Sequence, residues 1–303
     1  MPELPEVETI RRQLAPLVEG RRIASVEVLD PRWSRPLAPA ELEDALRGRR
    51  VESLGRRGKY LLWNLSGDVH LAQHLRMTGS VLAEPEGDPP HTRVRLLLGR
   101  RSGEGEVRLA ITDPRRFGTG ELLLGSDALT AFLDARLGRE PFDEGFTADY
   151  LRSVMKGRTA PIKAMLLDQR RLAGVGNIYA DEALWMAKIH PLRAAGSLRA
   201  VQYEALREGV IAALQAGIDA RGASIDDFRH IDGVRGSFQD RFLVHLREGE
   251  PCVRCGTPIR KIVVAGRGTY VCEHCQPRPR RRAVRPRPGA RPGGRPARPR
   301  AAP

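Results

Sequence analysis

The residues best suited to chemistry lie near the two ends of the chain. In "CVRCGTPIRKIVVAGRGTYVCEHC", Cys252 and Cys255 are separated by two residues, sixteen follow, and Cys272 and Cys275 repeat the first spacing. Two such knuckles can set four thiolates around one tetrahedral Zn²⁺. A closed four-thiolate site holds a fold together; redox chemistry is the alternative. His274 stands beside two ligands and is not expected to be one. The segment between the pairs reads as a β-hairpin turning near Gly266–Gly268, with Arg267 at its tip. Flanking glycines let a backbone approach another surface closely. Arg267 is therefore either a guanidinium delivered to a phosphate or an ordinary solvated turn residue.

The other end begins "MPELPEVETIRRQL". A small second residue, Pro2, favours removal of Met1, which would leave a secondary amine at the terminus. An α-amino group titrates near about 8 and a lysine near about 10.4, so on the order of 10% of an exposed terminal amine is free base at neutral pH. Attack of such an amine on a sugar C1′ yields an iminium, an electron sink for later elimination. The neighbouring Glu3 could move protons at that sugar. The alternative is a helix start in which proline and acids sit where the helix favours them.

These groups must be positioned by the elements between them. Residues 5–19 read as a helix with Val7, Ile10, Leu14, Leu17 and Val18 on one face and Gly20 as a stop; Pro16 argues for a kink or early end. From about 21 to 126, "RIASVEVL", "KYLLWNL", "DVHLAQHL", "TRVRLLL", "EVRLAIT" and "GELLLG" are short, partly alternating and separated by Gly, Pro and Asp. They read as antiparallel strands of a β-sandwich or barrel, with a helix at 40–47. From about 127 to 230 the period is helical. "RLAGVGNIYADEAL" there places a glycine-bearing turn before a helix opening at Asn177. The expected class is α+β. Residues 1–130 form an antiparallel β-sandwich with an amino-terminal helix, 131–235 a helical domain and 236–276 a zinc ribbon; 277–303 form a disordered basic tail.

The 303 residues carry a formal net charge of +14 and a pI near 10.5, which favours a polyanionic partner, nucleic acid before membrane. The stretch after Cys275 holds ten Arg and no acid. It is either a solvated tail or a nonspecific nucleic-acid tether. All four cysteines lie between 252 and 275, so no disulfide framework is implied and a reducing, cytoplasmic setting is expected. No signal peptide or membrane anchor is read in the sequence, and no stretch approaches the roughly 20 apolar residues a membrane helix needs.

"MPELPEVETIRRQL", "RRGKYLLWNL", "HLRMTGS", "TDPRRFG", "GVGNIYADEALW" and the four-cysteine ribbon occur in one order across residues 2–276. Together they closely resemble the bacterial formamidopyrimidine-DNA glycosylase family. That resemblance implies a bifunctional base-excision repair enzyme acting on damaged double-stranded DNA as a monomer. It would remove 8-oxoguanine and formamidopyrimidines, then nick the strand by β,δ-elimination. Its chemistry needs no metal, and its one structural Zn²⁺ would sit in the ribbon. The helical domain would contain a helix-two-turn-helix DNA element.

By the same resemblance, Pro2 would be the nucleophile and Glu3 the acid/base at the deoxyribose. Lys59 would serve proton transfer and phosphate contact, and Arg267 would grip the lesion phosphate. Asn177 and His91 would contact DNA, and Glu182 would be a carboxylate near the catalytic end. Met77, Arg115 and Phe117 would fill the void left by a flipped base, Arg115 also reading the orphaned partner. Without the family, Met77 and Phe117 read as strand core, Lys59 as an edge lysine, Asn177 as a helix cap, His91 as a loop residue and Glu182 as an exposed helical acid. Arg158 stands where some relatives carry Lys; its phosphate contact is part of the same expectation. The loop "RHIDGVRGSFQ" corresponds to a lesion-covering segment that varies among relatives, leaving preference among lesions open. Two other readings stand: an endonuclease VIII-type enzyme for oxidised pyrimidines, disfavoured because Leu4 follows Glu3, and a non-catalytic zinc-ribbon binding protein.

Overall fold

The computed structural model describes residues 2–101, 103–225 and 228–279; Met1 and all of the basic tail beyond 279 lie outside the described residues. The first element is the helix α1 (Leu4–Val18). Pro5 sits in its first turn, where a missing N–H costs nothing, and Glu6 reaches back to accept the Glu3 N–H at 2.8 Å. The helix runs through Pro16 rather than ending there. Leu14, Ala15 and Val18 are buried in the core on either side of that proline, so tertiary packing holds the last turn against the local penalty.

Eight strands follow: β1 (Ile23–Val28), β2 (Val51–Arg57), β3 (Tyr60–Leu65), β4 (Val69–His74), β5 (Ser80–Ala83), β6 (Thr92–Leu98), β7 (Val107–Thr112) and β8 (Thr119–Leu124). They form two antiparallel four-stranded sheets, in the orders β1-β6-β7-β5 and β2-β3-β4-β8. The sheets are open, which makes a sandwich and not a barrel. Strand β6 alternates buried and half-buried residues, as a strand with one face on a core should. Strands β2 and β5 are not evident from the sequence pattern: β2 carries Gly55 and two arginines, and β5 has four residues. The α2 helix (Pro39–Leu46) packs on β1. The α3 helix (Ser126–Asp134), also unanticipated, buries Phe132 against Tyr60, with ring centroids 5.5 Å apart. The expected boundary at residue 130 falls inside it.

The helical part comprises α4 (Ala148–Met155), α5 (Ile162–Leu166), α6 (Asn177–Met186) and α7 (Ala200–Asp219). The two strands β9 (Arg260–Val264) and β10 (Arg267–Val271) form the cysteine-flanked hairpin. The α1 helix joins two cores. Leu4 belongs to the helical-domain core, whereas Val7, Ile10 and Leu14 belong to the sandwich core.

The outer turn of α1 is tied to β2 by charge. Glu8 accepts from Arg11 at 2.8 and 3.0 Å, from Arg12 at 2.7 Å and from Arg56 at 3.2 Å. Burial pushes its carboxyl up, but the Arg11 and Arg12 hydrogen bonds and the Arg11 and Arg56 charges prevail and hold it at about 2. A depressed carboxyl stabilises the fold above its ordinary value of 4.5, and that contribution disappears as pH falls through about 2. The stability difference between the protein and Glu8→Gln, measured by urea unfolding, should therefore be largest near neutrality and shrink across that acid range. A difference independent of pH would remove Glu8 from this role.

Candidate active site and metal centre

Pro2 and Glu3 are buried where α1 meets α6, and Glu3 is 2% exposed. One carboxylate oxygen of Glu3 accepts the Ile178 N–H at 3.1 Å, in the first turn of α6. The positive end of a helix favours an anion there. The other oxygen, Oε2, has no hydrogen-bond partner among the described residues. A buried carboxylate oxygen left open is available for proton exchange. The preceding turn is built for this approach. Gly174 has φ +91° and its carbonyl accepts the Leu4 N–H at 3.1 Å; a Cβ on Gly176 would come within 2.2 Å of the Glu3 carboxyl carbon.

Glu6 lies behind Glu3 and ties down three segments. Besides the Glu3 N–H, it accepts the Tyr179 hydroxyl at 2.7 Å and the Ala223 N–H at 2.8 Å. Burial, reinforced by the Glu3 charge, raises its carboxyl above the ordinary range. This role is not evident from the sequence pattern, although an acid three residues after the N-cap Glu3 was the available signal.

Lys59 sits at the β2–β3 turn, 5% exposed. Burial lowers its ammonium, countered by the charges of Glu3 and Glu6 and reinforced by Arg267. A lysine so placed titrates closer to neutrality than a solvated one. The turn is pinned by Glu140, whose carboxylate takes two hydrogen bonds from Arg56, at 2.7 and 3.0 Å, and one from the Gly58 N–H. Arg57 also donates to the Gly138 carbonyl at 2.7 Å. The segment 137–140 between the two domains thus holds the lysine-bearing turn.

Helix α6 also holds the hairpin. Asn177 donates to the Gly268 carbonyl at 3.0 Å. Lys163, fully buried, donates to Asp181 at 2.7 Å, to the Thr269 hydroxyl at 2.8 Å and to the Gly268 carbonyl at 3.3 Å. His245 pairs with the other Asp181 oxygen at 2.8 Å. Glu182 is fully buried rather than an exposed helical acid, and it accepts the Leu243, Val244 and His245 N–H groups at 2.8–3.0 Å. Arg267 is exposed and opens β10 opposite Val264; Ala265 and Gly266, both at positive φ, make the tip, so Arg267 stands one residue beyond it. Pro2, Glu3, Lys59, Asn177 and Arg267 are therefore neighbours, although they span the whole described chain.

A second group forms on two loops of the sandwich. Met77 is 36% exposed and Phe117 52%, so neither is strand core. The Arg115 guanidinium lies 5.0 Å from the Phe117 ring centroid. Asp113 organises both loops: it bonds the Thr78 hydroxyl and accepts the Arg115 N–H at 3.2 Å and the Phe117 and Gly118 N–H groups at 2.7 Å. Its own N–H donates to the carbonyl of exposed His91 at 3.0 Å. His74 begins the Met77 loop by accepting the Arg76 N–H at 2.9 Å, and burial with the charges of Arg76 and Lys59 pushes its imidazole down to about 3. It is neutral and acts as an acceptor there. Arg158 is exposed on the α4–α5 loop, its carbonyl taking the Gly196 N–H at 2.8 Å.

Cys252, Cys255, Cys272 and Cys275 bring their sulfurs within 4.8 Å of one another, with Cys252–Cys275 at 4.0 Å and Cys255–Cys272 at 3.5 Å. Four sulfurs about 2.3 Å from one tetrahedral Zn²⁺ are separated by nearly the same spacing. The set is all thiolate and closed, which suits one structural zinc ion and offers no open coordination position. Cys255→Ser should lower bound zinc well below one per chain by elemental analysis; full retention would require a different ligand set. Glu140→Ala would strip Arg56 of its two-pronged partner, leaving it Glu8 and the Gly58 carbonyl, and should cost about 1–3 kcal/mol of unfolding free energy. Urea titration checks this, and a loss under about 1 kcal/mol would show the charges re-pairing with solvent.

Three family models match the chain: the formamidopyrimidine-DNA glycosylase N-terminal domain over residues 1–120, the formamidopyrimidine-DNA glycosylase H2TH domain over 137–229, and the zinc finger found in FPG and IleRS over 249–278. Among curated relatives, formamidopyrimidine-DNA glycosylase of Roseiflexus sp. is 45% identical over 91% of this chain and 100% of its own length. That of Thermus thermophilus is 45% identical over 91% and 98%. The crystal structure of the Thermus thermophilus MutM (Fpg) protein superposes with a TM-score of 0.80 at 43% identity, over 91% of this chain and 98% of that one. Lactococcus lactis Fpg in complex with DNA containing an abasic site gives 0.83 at 36% identity, over 91% and 100%. With the two-sheet sandwich, the helix that receives Glu3 and the four-cysteine ribbon, these matches establish that the chain belongs to the formamidopyrimidine-DNA glycosylase family, the DNA glycosylases of base excision repair.

Proposed function

We propose that the protein excises oxidised purines, 8-oxoguanine and formamidopyrimidines, from duplex DNA through a Schiff base on Pro2, and then cleaves the strand. The observation that carries this reading is the juxtaposition of a buried Pro2 with Glu3, whose carboxylate is held by one oxygen and open at the other. Removal of Met1 frees the Pro2 amine. Its lone pair forms a bond to C1′, the glycosidic bond breaks, and the base leaves with the bonding electrons and takes up a proton. Glu3 then relays the proton released by the amine to the sugar ring oxygen as the C1′–O4′ bond opens to the iminium. The iminium acidifies C2′–H; loss of that proton breaks the bond from C3′ to the 3′ phosphate. A second proton loss, at C4′, releases the 5′ phosphate.

Lys59 and Arg267 are read as the cations that face the phosphates beside the reacting sugar, with Lys59 also able to exchange a proton because burial lowers it. Asn177, at the start of α6, offers the helix N-terminus to backbone phosphate. Extruding the damaged nucleotide costs a few kcal/mol of unstacking. Exposed Met77 and Phe117 are read as wedges in the emptied stack, and Arg115 as the reader of the orphaned base. His91 and Arg158 would add DNA contacts outside this centre. The structures of Lactococcus lactis Fpg bound to abasic-site DNA and, as a point mutant, to Fapy-dG DNA support a damaged duplex as the substrate. The protein acts as a monomer in this reading.

Incubation with an 8-oxoguanine·C duplex and borohydride tests the proposal. The expected product is a covalent adduct whose mass maps to an amino-terminal Pro2 lacking Met1. Pro2→Gly should weaken trapping while retaining fold and DNA affinity. An adduct on a lysine would overturn the nucleophile assignment, and trapping confined to an oxidised-pyrimidine duplex would overturn the substrate class.

A further inference from the structure

Helix α6 ends against the ribbon at Trp185, a residue that the catalytic scheme does not use. Trp185 is 6% exposed, and its indole N–H donates to the Cys252 sulfur at 3.3 Å. The Arg254 guanidinium caps the ring, 3.8 Å from the indole centroid, and donates to the Trp185 carbonyl at 3.1 Å. Val244, Cys252, Ile259, Tyr270 and Cys272 complete the same apolar cluster. The indole is thus fixed between a cation and a metal-binding sulfur, on a helix from outside the ribbon.

We propose that Trp185 is a positioning residue of the zinc centre, its indole N–H hydrogen-bonding the Cys252 thiolate so that the ion is retained and the ribbon is locked to the helix that opens at the Glu3 site. A thiolate bound to zinc keeps lone pairs that attract donors, and a donor there withdraws electron density from sulfur. The thiolate then becomes less available to protons and competing electrophiles, which are the routes by which zinc is lost. The geometry carries a second consequence. Asn177 begins α6 and Trp185 lies eight residues on, about 12 Å along the helix axis. One rigid element therefore has the Glu3 carboxylate at its first turn and the zinc sulfur at its last, with Asp181 and Glu182 gripping the hairpin and its approach between them.

Trp185→Phe removes the N–H while keeping an aromatic ring for Arg254 to cover; Arg254→Ala removes the cover and keeps the N–H. Zinc transfer from the intact holoprotein to a chromogenic chelator should be roughly 10-fold faster in Trp185→Phe, in line with the usual effect of losing a hydrogen bond to a metal ligand. In the Co²⁺-substituted proteins, the thiolate-to-metal charge-transfer band should move to lower energy in Trp185→Phe and stay in place in Arg254→Ala. Faster zinc loss with an unmoved band would assign Trp185 to packing alone and overturn the proposal, as would unchanged release. One measurement needs no substitution. In ¹¹³Cd-loaded protein, scalar coupling between the metal and the Trp185 indole proton is expected; its absence, with couplings to the cysteine protons visible, would also overturn it.

Discussion

A carboxylate held against the start of a helix is the constraint on which the rest of the structure depends. Glu3 can reach the Ile178 N–H only because Gly174 and Gly176 let the preceding turn wrap round residues 3 and 4. That contact fixes the beginning of α1, and α1 in turn divides its apolar face between two cores. Leu4 is buried among the helices and Val7, Ile10 and Leu14 between the sheets. The amino-terminal segment is thereby tightly constrained at the interface between domains, unlike most termini. The proposed nucleophile, Pro2, would have a defined position there because both domains hold the segment.

The interface is polar where it holds the candidate site. Glu6, Lys163, Asp181, Glu182 and Glu140 are all buried, and each has its charge or oxygens met by named partners. Apolar residues in their place could give similar stability. They could not fix Lys59, Asn177 and Arg267 in direction, because hydrophobic contact is not directional. The buried ions specify where the hairpin and the lysine turn sit, and α6 is the member common to most of them. Its low amphipathicity follows: Ile178 through Trp185 are buried on all sides.

The sandwich loops reverse the usual rule for apolar side chains. Met77 and Phe117 face water, and their loops are ordered from beneath by one carboxylate, Asp113. Holding large apolar groups exposed costs hydration free energy in the free protein. In the proposed void-filling role, pre-ordering would lower the entropy cost of insertion, the general advantage of preorganised binding groups.

Much of this was legible in the chain itself. The cysteine spacing pointed to the zinc site because four ligands with short local geometry need little tertiary help. Period-two and period-3.6 patterns revealed most strands and helices because one-sided burial imposes them. Ordered motifs pointed to the family. Tertiary structure alone decided the rest. The course of α1 through Pro16 rests on distant packing, and β2 and α3 exist because β3 and β4 need partners and cover. Glu182, readable as a solvated acid, is enclosed by a segment some sixty residues away. Trp185 reads as one more apolar residue in a helix until Cys252 is folded against it. Local periodicity and local ligand geometry are properties of the sequence, whereas the partners of a buried polar atom come from wherever the chain returns, and only the fold decides that.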